Sequence, residues 1–522
     1  MFDVRGKQNF IFRTNRLKEI VGGSWIIRDV FCDYLYPTAE MIGGGKGIYG
    51  IRKENGRYID LDLPPFSRDA FEQHISEGYI GEVVYNGGGN FLMLIRDEDT
   101  FRKLNYAFTK NIMEAIGTLR VLATCIDHVN FDDYMGDRRR LYAKHRINEA
   151  QESVSAPWSC LPIVLVDRKT SMPIVRVQKE NGEELELSKE SDAKRRKYRD
   201  EILRIRREIE LHPEKLNEAD RYMALNGDEL DRLVEKKGED SQLAVIYIDG
   251  NSMGAKVEAV TEHTKTYDDC IHVLRDFSKD IQSTYVEQGI QNALENIRQE
   301  EKESYRVVIY AGDEINFIVK AKDAFGCADR YLEYLRTQSN ASACAGIAVF
   351  HSHAPYASAY RIAEECCESG KQAMKAAGIT TASLIDFHLC QGAIDNSLEK
   401  IREKENGDIC SRPWLIWVDE AEASKAADIQ SIAEIRCLQK LFNQLGRTNV
   451  KGLAEAAKTG DDELGTELNR IWSHASSDIR TENKETWQWL LKELDNTKRR
   501  RLVYDLSITY DLWFSKGEEE KR

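Results

Sequence analysis

The sequence predicts an α+β chain in which one sheet-and-helix unit occurs twice, with a further helical segment at its end. Three observations predict it. Tyr305 to Val319 reads YRVVIYAGDEINFIV, two β-rich runs about a Gly-containing corner, which is a hairpin signal. Leu243 to Ile248 (LAVIYI) is a continuous apolar strand upstream of that hairpin, and amphipathic helices surround both. Gly81 to Ile95 reads GEVVYNGGGNFLMLI, a second strand, Gly-rich corner and strand, set in the same order of elements.

The bulk numbers bound the class. A chain of 522 residues forms several domains, and 42% hydrophobic with 31% charged residues describes a soluble globular protein. No run of about eighteen apolar residues exists, so no membrane span or membrane partner is expected. The N-terminus, MFDVRGKQNFIF, lacks the order of a signal peptide. Eleven cysteines occur with no C-x-x-C pair, which argues against a zinc ribbon and for a reducing, cytoplasmic compartment. A net charge of −14 and a pI near 5.4 argue against a DNA-coating protein, while local basic patches leave RNA open.

Taken in order, residues 1–12 read as a strand. Thr14 or Asn15 caps a helix through Leu17, Trp25 and Val30, and Gly22-Gly23 inside it implies a close backbone approach. Gly43 to Gly47 (GGGKG) lacks P-loop spacing and reads as a turn. After the hairpin at 81–95 come a helix from Asp97 to Ile116, a strand from Leu119 to Ile126, and a helix to about Gln151. The intervening stretch is different in character. Strand-like runs surround Pro162 and Pro173, and Ser188 to Lys237 is charged and helical in period; Lys194-Arg195-Arg196-Lys197 within it reads as a solvated helix face, with RNA contact as the alternative.

The second unit follows. The strand ending at Asp249 leads to helices from Tyr267 to Arg298, the Tyr305 hairpin, a helix from Ala321 to Gln338, a strand from Cys344 to Phe350, a helix from Tyr356 to Ala377 with Gly378 at its C′ position, and a strand from Thr381 to His388. Helices on a sheet containing antiparallel strands give a ferredoxin-like arrangement. From about Glu399 the chain reads as helical, with Trp414 to Val418 as a brief apolar run, Lys498 to Arg501 as a helix face and GEEEKR as a frayed tail. The expected domains are 1–135, a linker and helical insert over 136–242, 243–395, and a helical 396–522.

The two units set side by side suggest an internal duplication, with Asp3 against Asp249 and with Gly88 and Gly89 where Asp313 and Glu314 stand. Two unrelated Gly-turn hairpins are the alternative. The acids on the second corner carry the chemistry. If strand and hairpin lie side by side, Asp249 meets Asp313 and Glu314 at one sheet end, and three carboxylates present hard oxygens suited to Mg²⁺. The small residues after Asp249 (Gly250, Asn251, Ser252 and Gly254) let backbone N–H groups approach phosphate. Each acid alone has a plainer reading: Asp249 as a helix cap and Asp313-Glu314 as an exposed turn.

These residues resemble a known family, the large palm-domain subunit of type III CRISPR effector complexes, the cyclic-oligoadenylate synthases, distant relatives of GGDEF diguanylate cyclases and adenylyl cyclases. IYIDGNSMG looks like the family's first metal-binding strand and phosphate turn. YAGDE is similar to its Gly-Gly-Asp-Asp hairpin, with Ala311 for the first Gly and Glu314 for the second Asp. CAGIAVFHSHAP with AEECCESGKQAMK is similar to its strand and Ala-Lys helix, with Gly370 and Lys371 in those places. The N-terminal segment and YNGGGNF resemble its first, acid-free palm.

The resemblance implies two tandem palm domains of the nucleotide cyclase and polymerase type. It implies ATP as substrate and two Mg²⁺ (or Mn²⁺) ions on Asp249, Asp313 and Glu314, with the Gly250 carbonyl helping. Gly250, Asn251, Ser252, Gly254, Gly312 and Lys371 would hold one nucleotide, and Ser24, Gly87, Gly88 and Asn90 of the first palm a second. Lys371 also reads as a solvated helix lysine. The products implied are cyclic or linear oligoadenylates made in antiviral defence, and the partners RNA or CRISPR effector subunits. The family often begins with an HD nuclease domain, and none precedes Met1, so DNA cleavage is not expected. A Cys₄ zinc site between the palms is also common, and DRKTSMPIV carries none of its cysteines. Two other readings stand beside this one: a non-catalytic palm-pair scaffold, and a GTP-using enzyme of the diguanylate-cyclase kind.

Overall fold

The computed structural model describes residues 1–54, 56–61, 63, 65–151, 163–180, 182–211, 230, 233–234, 241–300, 305–338, 341–391, 397–405 and 409–512. The run around Pro162, most of the charged stretch between Leu211 and Lys237 and the terminal GEEEKR lie outside the described residues. The chain divides into two compact units, Met1–Ala224 with Ser252–Ser283, and Leu225–Asn251 with Thr284–Arg522.

The first unit begins with β1 (Phe2–Arg5) and continues through α1 (Leu17–Val30), β2 (Ile48–Tyr49), the hairpin β3 (Gly81–Gly87) and β4 (Asn90–Ile95), α2 (Glu98–Ala115), β5 (Arg120–Ala123), α3 (Tyr134–Gln151) and α4 (Lys189–Leu211). The sheet order is β2-β3-β4-β1-β5, with β1 antiparallel to both neighbours. Alternation along β1 buries Phe2 and Val4, and Phe2 packs edge-on against Phe108 of α2 at 5.5 Å. The expected strand over 1–12 is corrected: it ends at Arg5, because Gly6 turns to a φ of 62° and opens a short helix, Lys7–Ile11. The expected Thr14 or Asn15 cap is also corrected, since Arg16 holds the N-cap position of α1 with no side-chain bond.

The Gly22-Gly23 expectation has a specific cause. A Cβ on Gly22 would stand 2.0 Å from the backbone oxygen of Lys194, so α1 and α4 touch backbone to backbone. Beside that contact Trp25 stacks on Tyr198 at 5.7 Å. Lys194, Arg195 and Lys197 of the basic run on α4 are therefore not on a solvated face, and Arg196 alone of the four is exposed. Lys194 is fully buried, 2.6 Å from Glu190 and bonded to the Phe10 carbonyl, and Lys197 reaches Asp29 at 2.8 Å and Asp33 at 2.7 Å. Ammonium groups tolerate such burial only when paired and hydrogen-bonded, which is the arrangement here. Within the stretch expected as a linker and helical insert, α4 is thus a helix packed against α1 in the first unit.

Helices α5 (Met253–Thr261) and α6 (Tyr267–Ile281), expected within 243–395, are compacted with the first unit as well. Tyr267 donates to Asp137 at 3.0 Å, Arg275 meets Glu82 at 3.2 Å, and Tyr267 and Cys270 join a core with Phe66, Val84 and Tyr134.

The second unit contains β6 (Gln242–Gly250), α7 (Gly289–Glu300), the hairpin β7 (Tyr305–Ala311) and β8 (Glu314–Lys320), α8 (Ala324–Arg336), β9 (Ala343–His351), α9 (Tyr356–Ala377), β10 (Ala382–Leu389), α10 (Leu398–Glu405), β11 (Trp414–Val418) and β12 (Gln430–Ser431). The sheet order is β7-β8-β6-β9-β10-β11-β12. Its first four strands form the expected ferredoxin-like set, with β6 central and antiparallel to β8 and β9. The expected boundary at 395 is corrected. Trp414 to Val418 pairs with β10, and Trp414 packs against Phe387 at 4.9 Å, so the sheet continues beyond it. Helices α11 (Ile432–Leu445), α12 (Arg447–Thr459), α13 (Asp461–His474) and α14 (Asn496–Ile508) follow, the first opened by a Ser431–Glu434 capping box.

The two hairpins match residue for residue. Gly81 pairs with Ile95 as Tyr305 pairs with Val319, and Gly87 with Asn90 as Ala311 with Glu314. Both ladders skip one residue at the same place, Val84 in one and Val308 in the other. The alignment read from the sequence is corrected by one position: Gly89 corresponds to Asp313 and Asn90 to Glu314. Asp3 faces Asn90 as Asp249 faces Glu314.

Candidate active site

Strand β6 is buried from Leu243 to Ile248, so its register is fixed by the core, and Asp249 emerges at its end. Directly opposite on β8 stands Glu314. The two-residue corner joining β7 to β8 carries Asp313, and Gly312 takes a φ of 65°, where a Cβ is unfavourable although space is open. Asp249, Asp313 and Glu314 thus share one sheet end.

Their electrostatics register that crowding. Burial and the charge of Asp249 push Asp313 up to about 7, and the two carboxyls also share a hydrogen bond. Burial, then Asp249, push Glu314 up to about 7 as well, opposed by the Tyr360 hydroxyl, which donates to Glu314 Oε1 at 3.1 Å. Like charges at one site disfavour joint ionisation. Lys371 answers part of that charge. Its Nζ donates to Asp249 Oδ2 at 2.5 Å and to the Gly250 carbonyl at 3.2 Å. Burial opposes the ammonium, but Asp249 overrides it and holds the pKa above its ordinary value.

Two glycines fix where Lys371 sits. A Cβ on Gly346 of β9 would fall 1.8 Å from the Ala363 carbonyl of α9, and one on Gly370 would fall 3.3 Å from Cys344 Sγ. The helix therefore lies directly on the strand, and Tyr360, Glu364 and Lys371 share its site-facing side. Tyr360 and Glu364 were missed from the sequence. Their signal was the i, i+4, i+11 spacing that ends at Lys371.

Asn251 plays another part than expected. Its N–H bonds to the Ser342 carbonyl and its side chain to the Ala382 carbonyl, so the buried residue ties β6 to β9 and β10 and offers no N–H to phosphate. Ser252 has a φ of 56° and opens α5 without a side-chain cap bond, and Gly254 follows with open space around it; both belong to the first unit.

The corresponding end of the first unit is chemically inverted. Asp3 is held by Arg5 at 2.9 Å and His145 at 3.3 Å, and Lys7 bonds to the Gly88 carbonyl. Gly87, Gly88 and Asn90 lie together at that corner, with Asn90 opposite Asp3. Ser24 lies on α1, three residues before Ile27, whose side chain is 3.4 Å from where a Gly89 Cβ would be.

A chain of a Csm1–Csm4 cassette in complex with cA4 superposes with a TM-score of 0.45 and 12% identity, covering 98% of this chain and 69% of that one. Csm1 from T.onnurineus gives 0.46, 12%, 98% and 69%. A Csm1–Csm4 cassette with AMPPNP gives 0.43, 12%, 96% and 69%. This chain is similar to Csm1. Neither a family model nor a curated protein matches it by sequence.

The donor set at the second-unit edge suits a hard divalent cation. It consists of carboxylate oxygens and the Gly250 carbonyl, and Asp313 and Glu314 are held back from ionising by burial and then by the charge of Asp249, which a cation would relieve. Among the described residues no three such side chains close on a single point, and Lys371 stands on Asp249. The edge is convergent and open rather than a finished cage.

Proposed function

We propose that the chain is a nucleotidyltransferase that joins ATP into cyclic or linear oligoadenylates, as the large subunit of a CRISPR-type effector complex. The observation that carries it is the single sheet end shared by Asp249, Asp313 and Glu314, two of them pushed to about 7 by burial and mutual charge. The sequence resemblance of IYIDGNSMG and YAGDE supports the same reading. Asp249, Asp313 and Glu314, with the Gly250 carbonyl, would hold Mg²⁺ or Mn²⁺. When bound, such an ion neutralises phosphate charge and activates a ribose hydroxyl.

The chain's own residues do the rest. Lys371, already charged and fixed beside Asp249, presents an ammonium to a triphosphate. Tyr360 orients Glu314 and favours its ionised form. Gly312 leaves the corner without a side chain, so a nucleotide can approach the backbone. In the first unit Lys7 stands at the hairpin corner, where Gly89 and Asn90 replace the two acids, which fits a second nucleotide held without a cation.

The Lys371–Asp249 ion pair favours one competing reading, a palm-pair scaffold in which the lysine permanently neutralises the edge. The test is to incubate the purified protein with labelled ATP or GTP and Mg²⁺ or Mn²⁺, with and without cell RNA, and resolve the products. Oligoadenylate from the wild type and none from Asp313→Ala supports the transferase. No turnover in either supports the scaffold, and a GTP-selective product supports a diguanylate-cyclase-like enzyme.

A further inference from the structure

We propose that the second unit carries a separate small-molecule site, at the opposite end of β10 from the carboxylates, that takes an organic phosphate the size of a nucleoside monophosphate. A cavity of about 350 Å³ is lined by His388 and Leu389 of β10, Glu405 of α10, Arg412, Lys458 of α12 and Tyr504 of α14. Leu384 of β10 pairs with Cys344, which in turn pairs with Asp249. His388 lies four residues further along the strand, roughly 13 Å away at the usual strand rise.

Arg412 is the reason to expect an anion. It is 7% exposed, and its guanidinium lies over the Phe387 ring at 4.4 Å. Nη2 donates to Cys410 Sγ at 3.2 Å, whereas Nε and Nη1 are buried without a hydrogen-bond partner among the described residues. The nearest acid oxygen, Asp505 Oδ1, is 3.7 Å from Nε, beyond hydrogen-bond reach, and the other Asp505 oxygen accepts from Ser411 and from the Arg412 main chain. His388 Nδ1, on the same wall and also buried, is unpartnered too. A buried guanidinium with idle N–H groups is unfavourable unless something accepts from it, and a phosphate does so in the geometry that arginine matches best.

The remaining wall defines the rest of the ligand. Lys458 adds a second cation at the mouth, its Nζ 5.6 Å from the centre of the Tyr504 ring. Besides Asp505 behind Arg412, the acid on the cavity lining is Glu405, 3.6 Å from His388 Nε2, and burial holds its carboxyl above the usual range. Leu389, Ile508 and the Tyr504 ring give an apolar wall. The volume exceeds that of a bare phosphate and leaves room for an organic body.

Titration calorimetry on the full-length protein in EDTA, with AMP, ribose 5-phosphate and inorganic phosphate as probes, tests this. AMP is expected to bind at one site, more tightly than inorganic phosphate. Lys458→Ala, an exposed position, is expected to weaken it about tenfold, and Lys371→Ala is expected to leave it unchanged. Arg412→Lys is expected to weaken it further, and if that variant does not fold, Lys458→Ala decides alone. No heat with any probe overturns the site. Loss of binding in Lys371→Ala, or none in Lys458→Ala, overturns its location, and phosphate binding with no gain from AMP overturns the organic body.

Discussion

Replacing Asp313 by Asn should stabilise the protein in the absence of divalent cations, at the expense of any transferase activity. In the native state burial and Asp249 raise the Asp313 pKa to about 7, from the 3.8 of an ordinary aspartate. The native state therefore holds this proton more tightly than the unfolded chain does. Stability is full below the unfolded value and falls as pH rises through that interval, then levels off above about 7. Each unit of displacement corresponds to about 1.4 kcal/mol, so the whole interval is on the order of 4 kcal/mol, and solvent reaching the half-buried edge leaves roughly 1–2 kcal/mol. Asn carries no charge and escapes this loss. Urea titrations in EDTA should show the variant more stable by about 1–2 kcal/mol at pH 8, with the gap closing at about pH 4. Added Mg²⁺ should stabilise the wild type more than the variant. A variant no more stable than wild type at pH 8, or a gap independent of pH, would refute the account of three crowded acids.

Other outcomes are expected from the same geometry. Lys371→Ala should lower nucleotide turnover by about 10²-fold, because the ammonium beside Asp249 is lost, as followed by labelled-product chromatography. Tyr360→Phe removes the bond that favours ionised Glu314, so the acid limb of the pH–rate profile should move upward by roughly 0.5–1 unit. Gly346→Ala drives a methyl into the Ala363 carbonyl and should destabilise the second unit by at least about 2 kcal/mol in denaturant titrations. Gly452→Ala, on a helix with open space, should instead stabilise by about 0.5–1 kcal/mol.

The parts of this fold that announce themselves in the sequence are those governed by local chemistry. The LAVIYI run, the Gly corners and the 3.6-residue period of α9 placed the strands, hairpins and helix, and the register of β6 followed from its burial. What escaped depends on tertiary neighbours. The bulges at Val84 and Val308 leave no composition signal, so the hairpins were aligned one residue out. Lys194 and Lys197 look like surface charges until α1 packs against α4, burying Lys194 beside Glu190 of its own helix and bringing Asp29 and Asp33 to Lys197. Trp414 to Val418 was too short to declare itself a strand without β10 beside it. Asn251 fits a phosphate turn by spacing, and only the contacts with Ser342 and Ala382 show that its backbone N–H and side-chain Nδ2 donate elsewhere.

The backbone contact between Gly22 and Lys194 bears on how the gene can be divided. An expression fragment stopped near residue 150 keeps every strand of the N-terminal sheet yet strips Trp25 of Tyr198 and bares the groove that the two glycines open. Such a fragment should be recovered as aggregate, whereas one that also supplies α4, in the same polypeptide or coexpressed, regains its missing cover.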